Sequence, residues 1–305
     1  MKAKILLLCL ACLLWSSTNS HADFKYTEST KVTGGMMARM MKVMGAFGQG
    51  VGQVSRPMKS STCVKGNRLR KEEPTGEVEI IDLEKQWVIA IDPQSRTYSI
   101  VPFAEMRSAL RELHETASQD GGANVRMIPR VEVRPTGATK TMLNQRTREV
   151  KIRMEMEIQS EDPKGKAQTT SFWFASDAWV ASAVAGYEEV REFYETVSHD
   201  LDWLPGQMFS GDGGVSPVME EFRKSLARMK GFPLVQSSSF GASERGGRIG
   251  SQRTGTGPSN NDSFLDMTIE VTSFADSPLN ESLFQVPAGY ARVERSGRDM
   301  IGGRR

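Results

Sequence analysis

Cysteine and histidine are nearly absent, three of each in 305 residues, and half of them sit where they are not expected to act in a mature protein. Cys9, Cys12 and His21 fall in an amino-terminal stretch with the marks of an export leader: Lys2 and Lys4, the apolar run Ile5 to Trp15, then Ser20-His21-Ala22 with small residues at the two positions a signal peptidase reads. Cleavage after Ala22 makes 1–22 a signal peptide and leaves Cys63 alone, so no intrachain disulfide can form and packing must supply stability. A thiol with no histidine beside it reads as a small buried hydrophobe rather than a nucleophile. His114 and His199 are too far apart in sequence to suggest a metal site. No second apolar run approaches the roughly 20 residues that a helical membrane span needs. Charge of one sign is lacking too: without Lys2 and Lys4 the formal charge falls from +2 to 0, which gives no electrostatic case for nucleic acid as a partner.

Catalytic motifs are equally missing. There is no Gly-x-Ser-x-Gly turn, no Ser-x-x-Lys pair and no phosphate-cradling glycine loop ending in Lys-Ser/Thr. The glycines between Gly246 and Gly257 lie in low-complexity sequence. Glu149, Glu155 and Glu157 alternate with Lys151 and Arg153, which reads as the wet face of a strand rather than a general acid and base pair. The expectation is a non-enzymatic protein with no cofactor and no metal.

What is present is β pattern. Glu77 to Leu83, Trp87 to Asp92 and Arg96 to Pro102 alternate with period two, and the turns between them are too short for a crossover helix, so the three strands form an antiparallel meander. Flanking strands are predicted over Phe24 to Thr33 and around Met58 to Arg70. Further strands are predicted from Arg148 to Ile158, with Met154 and Met156 inward and Glu155 and Glu157 outward, and from Gln168 to Ser176, with Phe172 and Phe174 opposite Trp173. A last strand carries Leu265, Met267, Ile269 and Val271. Three helices are predicted: one from Phe103 with a stripe of Met106, Leu110 and Leu113, one with Tyr187, Val190, Tyr194, Val197 and Leu201, and one from Ser216 to Gly231. Gln236 to Asp262 is Ser, Gly, Arg, Thr and Asn with little apolar content, so the spacing predicts a disordered polar loop, and 291–305 reads as a disordered tail. The expected domain is therefore single, 23–290.

One segment is unusual. Met36, Met40 and Met44 recur every four residues between Gly34 and Val54, with Met37, Met41 and Phe47 beside them. Three readings stay open: methionines filling gaps in a core, an adaptable apolar lid over a cavity or partner, and Cu(I) capture by thioethers. Trp87, Tyr98, Met154, Met156 and Trp173 are the strand residues that would line a cavity beneath such a lid, or else are plain core.

The motifs Val64-Lys65-Gly66-Asn67-Arg68-Leu69-Arg70, Ile81-Asp82-Leu83, Ile91-Asp92-Pro93 with Thr97-Tyr98, Gly186-Tyr187 with Phe193-Tyr194, Gly231-Phe232-Pro233-Leu234 and Leu283-Phe284-Gln285-Val286-Pro287-Ala288-Gly289-Tyr290 resemble an uncharacterised family of exported bacterial proteins. Its layout is similar to that of the periplasmic lipoprotein carriers. The resemblance implies an α+β, β-rich fold: a curved antiparallel sheet, or half-barrel, with about three helices on its concave face. It also implies a periplasmic or secreted binding protein for lipid, lipoprotein or another apolar ligand of the cell envelope. A structural or interaction protein with a filled core is the alternative.

Overall fold

A computed structural model of the chain describes residues 23–40, 56–120, 126–161, 167–201, 231–245 and 263–301. They form a β-rich fold around one large, open, curved antiparallel sheet with few helices. Twelve strands follow one another in the order β12-β6-β5-β4-β3-β2-β1-β11-β10-β9-β8-β7. In chain order these are β1 (Phe24–Gly34), β2 (Met58–Lys65), β3 (Arg68–Glu72), β4 (Val78–Asp82), β5 (Trp87–Asp92), β6 (Thr97–Pro102), β7 (Arg126–Met142), β8 (Gln145–Glu161), β9 (Ala167–Ala181), β10 (Phe232–Arg245), β11 (Ser263–Asp276) and β12 (Ala291–Arg292). Every pairing is antiparallel except β12 with β6.

The meander falls where period-two alternation put it, and its turns are fixed by aspartates. Asp92 accepts from the Gln94 and Ser95 amides and from the Ser95 hydroxyl, while Asp82 accepts from the Lys85 amide. Such side-chain bonds hold a tight turn in place of backbone partners. The single strand expected around Met58 to Arg70 is instead a hairpin, β2 and β3, broken at Gly66-Asn67 with Gly66 at φ 53°. Glycine adopts that backbone without strain, so the chain reverses there.

Helix α1 (Phe103–Asp120) buries Phe103, Met106 and Ala109, and α2 (Tyr187–Leu201) buries Val190, Phe193, Val197 and Leu201. Both pack on one face of the sheet. The helix expected from Ser216 to Gly231 lies outside the described residues, apart from Gly231 itself. Gly231 stands immediately before β10, at φ 119°, with the Ala181 carbonyl 2.4 Å from where a Cβ would sit.

Two expectations of disorder are overturned. Residues 236–245 belong to β10, an interior strand paired along its length with β9 and over Val235 to Gly241 with β11; 246–262 lie outside the described residues. An interior strand gains its order from two hydrogen-bonded ladders, and Ser237, Ser238 and Ser239 give up nothing by being short and polar there. Residues 291–301 of the presumed tail are ordered as well, and 302–305 lie outside the described residues. After β11 the chain crosses the sheet's outer face, where Val286 and Tyr290 pack on Val78, Ile80, Ile89 and Ile91. It then adds β12 to the edge of β6 and forms helix α3 (Gly297–Ile301) against α1. Gly297 permits that contact, since a Cβ there would lie 2.8 Å from the Glu105 carbonyl oxygen. This strap closes one sheet edge, while β7 forms the other and carries charges and Pro135, features that discourage edge-to-edge pairing.

Candidate functional site

The face under α1 and α2 is built in lateral rows. Across six adjacent strands, Phe24, Val64, Leu69, Ile81, Val88 and Val101 lie side by side, and all six are fully buried. Phe232 stacks into this floor with ring centroids 4.5 Å from Tyr187, 5.4 Å from Tyr26, 5.7 Å from Phe24 and 5.8 Å from Phe274. The space between the sheet and α2 is thus occupied by aromatic side chains.

One step along the strands the row turns polar: Tyr26, Thr62, Lys71 and Glu79 are successive partners. The Tyr26 phenol bonds Thr62 and Tyr194 of α2, and burial raises it well above the ordinary tyrosine range. Burial also pushes Tyr187 up to about 12. Lys71 bridges Glu73 at 2.6 Å and is the cation that the Glu28 and Glu79 carboxyls feel. Burial raises both of those carboxyls, Glu79 to about 7, with Glu73 adding repulsion and Lys71 only partly offsetting it. A carboxyl near half-protonation at neutral pH can exchange a proton. No group of three or more His, Cys, Asp or Glu among the described residues is placed to hold a metal.

Beyond this polar belt the same face becomes apolar again. Register places Met154, Phe174, Phe240 and Leu265 in one row across β8, β9, β10 and β11, with Met156 and Phe172 in the next. Phe174 and Phe240 are 4.9 Å apart, and Val150, Ile152, Ala178 and Val180 continue the patch. Ser176 and Ser238, both buried, satisfy each other at 3.1 Å within it. At the Leu265 end of the row β1 gives way to helix: Gly35 packs so closely on the Phe264 and Leu265 backbone that a Cβ would meet it at 2.6 Å. Residues 35–40 are helical and lift Met36 and Met40 into solvent, 55% and 59% exposed, while Met37 is half-buried. Phe172 is 41% exposed.

Of the residues singled out from sequence, Met154 and Met156 lie on the apolar end of the helix-bearing face, and Met36, Met37 and Met40 stand on the helical residues after Gly35, which packs on the Leu265 backbone. Met41, Met44 and Phe47 lie outside the described residues. Trp87, Tyr98 and Trp173 do not join them. Trp87 and Tyr98 share the outer face with Ile89 and Ile100, and Tyr98 packs with the strap residues. Trp173 lies opposite Glu155 on the other side of the sheet from Phe174, its ring over Gly241, where a Cβ would meet it at 2.4 Å. Alternation tells which residues share a face and is silent on which face the helices take. Phe240, Leu265 and Glu79 were not singled out; the first two carried a usable signal, being apolar residues two apart from other inward positions. A comparison with protein-family models finds no match, and neither does one with curated proteins.

Proposed function

We propose that the chain is an exported, non-enzymatic binding protein of the cell envelope, taking an apolar or acyl-chain ligand on the apolar end of its helix-bearing face. The observation that carries this reading is the apolar row of Met154, Phe174, Phe240 and Leu265, beside whose Leu265 end Gly35 begins a short helical segment with Met36 and Met40 more than half exposed. Exposed thioethers next to an apolar floor form an adaptable surface, because an unbranched polarisable side chain repacks around varied shapes at small cost. The floor's sheet is broad, and its near end is already filled by the rings around Phe232, so a ligand is confined to the far end.

The filled near end also favours the second reading, a structural or interaction protein with no small ligand. One experiment separates the two. Native mass spectrometry of protein purified from its own envelope should show retained lipid, and replacing Met36, Met37 and Met40 by Ser should abolish uptake of a fluorescent fatty-acid probe while the urea midpoint stays within error. A variant that folds and takes up the probe as well as the parent would sink the binding reading. A Cu(I) titration of the parent tests the thioether-metal alternative alongside.

A further inference from the structure

On the outer side of the sheet, where the strap turns from β12 toward α3, there is an open groove of about 540 Å³. Its floor is apolar. Trp87 lies beside Pro102 as its strand partner, and Ile100 completes the surface on β6. Trp87 is 36% exposed, unusual for an indole with no role in the core. The volume falls within the range of small-molecule sites, roughly 300 to 1,000 Å³.

The walls carry charge whose bonds can be followed one by one. Glu105 accepts from the Gly297 amide at 3.1 Å. Arg292 and Glu294 face each other at 3.7 Å. Asp299, behind the groove, is held by the Ser296 amide and hydroxyl at 2.9 and 2.7 Å. Arg295 lines the groove, is half-buried, and makes no hydrogen bond or ion pair with any described residue, acting on Asp299 only at a distance. A partly desolvated guanidinium without an acceptor is a group waiting for an anion.

We propose that this groove binds a monocarboxylate carried on an apolar body, Arg295 holding the carboxylate and Trp87, Ile100 and Pro102 covering the hydrocarbon. A planar fork of donors matches a carboxylate bidentately. A single carboxylate follows from the bonds in the lining: Arg292 is paired with Glu294 and Glu105 is held by the Gly297 amide, so Arg295 is the one guanidinium of the groove without an acceptor among the described residues. A dianion would meet Glu105 and Glu294 in the same groove. This site is separate from the methionine-bearing face and does not depend on the function proposed above.

The test is calorimetric titration of the full chain with decanoate, 3-phenylpropionate and an N-acetylated Leu-Phe dipeptide, which present the same carboxylate on an acyl chain, an aromatic body and a peptide end. Methyl decanoate is the uncharged control. At least one acid should bind, the ester at least about tenfold more weakly, and Arg295→Gln should lose about tenfold or more for that acid with an unchanged urea midpoint. Arg295→Lys should recover part of the loss, and Trp87→Ala should weaken binding without removing the preference for acid over ester. The ranking of the three acids identifies the natural source. Equal affinity of the parent and Arg295→Gln for every acid, or equal binding of acid and ester, overturns the proposal, and decanoate bound on the methionine face would register as that outcome.

Discussion

Replacing Glu79 by glutamine should make the protein more stable above neutral pH and leave it nearly unchanged below pH 5. Glu79 stands half-buried in the polar belt, pushed from 4.5 to about 7 by burial first, with Glu73 adding repulsion and Lys71 opposing. A carboxyl whose pKa is raised on folding favours the native state fully only below its unfolded pKa. That contribution is lost as pH rises from about 4.5 through 7, because ionising it costs more inside the protein than in the unfolded chain. The shift corresponds to roughly 3 kcal/mol as an upper figure, since solvent reaches part of the side chain. Glutamine keeps the shape and carries no charge at any pH. Urea melts of parent and variant at pH 5 and pH 8 give the double difference, which cancels other titrating groups, including Glu28, whose raised carboxyl acts in the same direction. The variant should gain between about 1 and 3 kcal/mol on the parent between those two pH values. No gain, or a gain at pH 5 instead, would show that Glu79 is ionised without penalty and that the belt is open to water.

Four further outcomes are expected. Ile152→Asp should cost several kcal/mol by burying a charge in the apolar patch, whereas Glu155→Lys, on the exposed side of the same strand, should change the urea midpoint by no more than about 0.5 kcal/mol. Gly231→Ala should lower the melting temperature markedly, because its Cβ meets the backbone of Ala181 and its φ of 119° disfavours any side chain. Phe284→Ala should cost about 3 kcal/mol, since that ring is buried beneath Arg68, whose guanidinium lies 5.2 Å from its centroid. Ending the chain after Pro278 should go further, exposing Val78, Ile80, Ile89 and Ile91 to a dye that reports apolar surface; unchanged dye binding would mean the strap covers nothing.

Much of the sheet was legible because alternation survives wherever one side of a strand is wet. The meander and β8 were found to within a residue or three, and the direction of Met154 against Glu155 agrees with the observed register. Helix α2 was legible from its stripe between Gly186 and Pro205, with Phe193 buried in addition to the residues expected. β10 was hidden because composition measures what a segment can bury through its side chains, and Gln236 to Gly241 is held by its backbone on both sides, with buried Ser238 bonded to Ser176. The strap was read as a motif at Leu283 to Tyr290 and then abandoned at Arg292, since β12 and α3 are too short to show a period. Of the candidate residues, Met154 and Met156 lie on the helix-bearing face, while Trp87, Tyr98 and Trp173 lie on the other, a choice set by helix placement that no strand pattern encodes.

The position of β1 has a kinetic consequence. It is the first strand made and sits in the middle of the sheet, between β2, its near neighbour in sequence, and β11, where Phe24 pairs with Asp276. The strands from β2 to β6 and from β7 to β9 can pair locally, but the seam of β1 with β11 needs both ends of the chain at once. Long-range antiparallel pairing of this kind slows folding, because a large loop must close before its contacts repay the lost entropy. The molecule is therefore expected to assemble late, only after β11 is available to pair with β1.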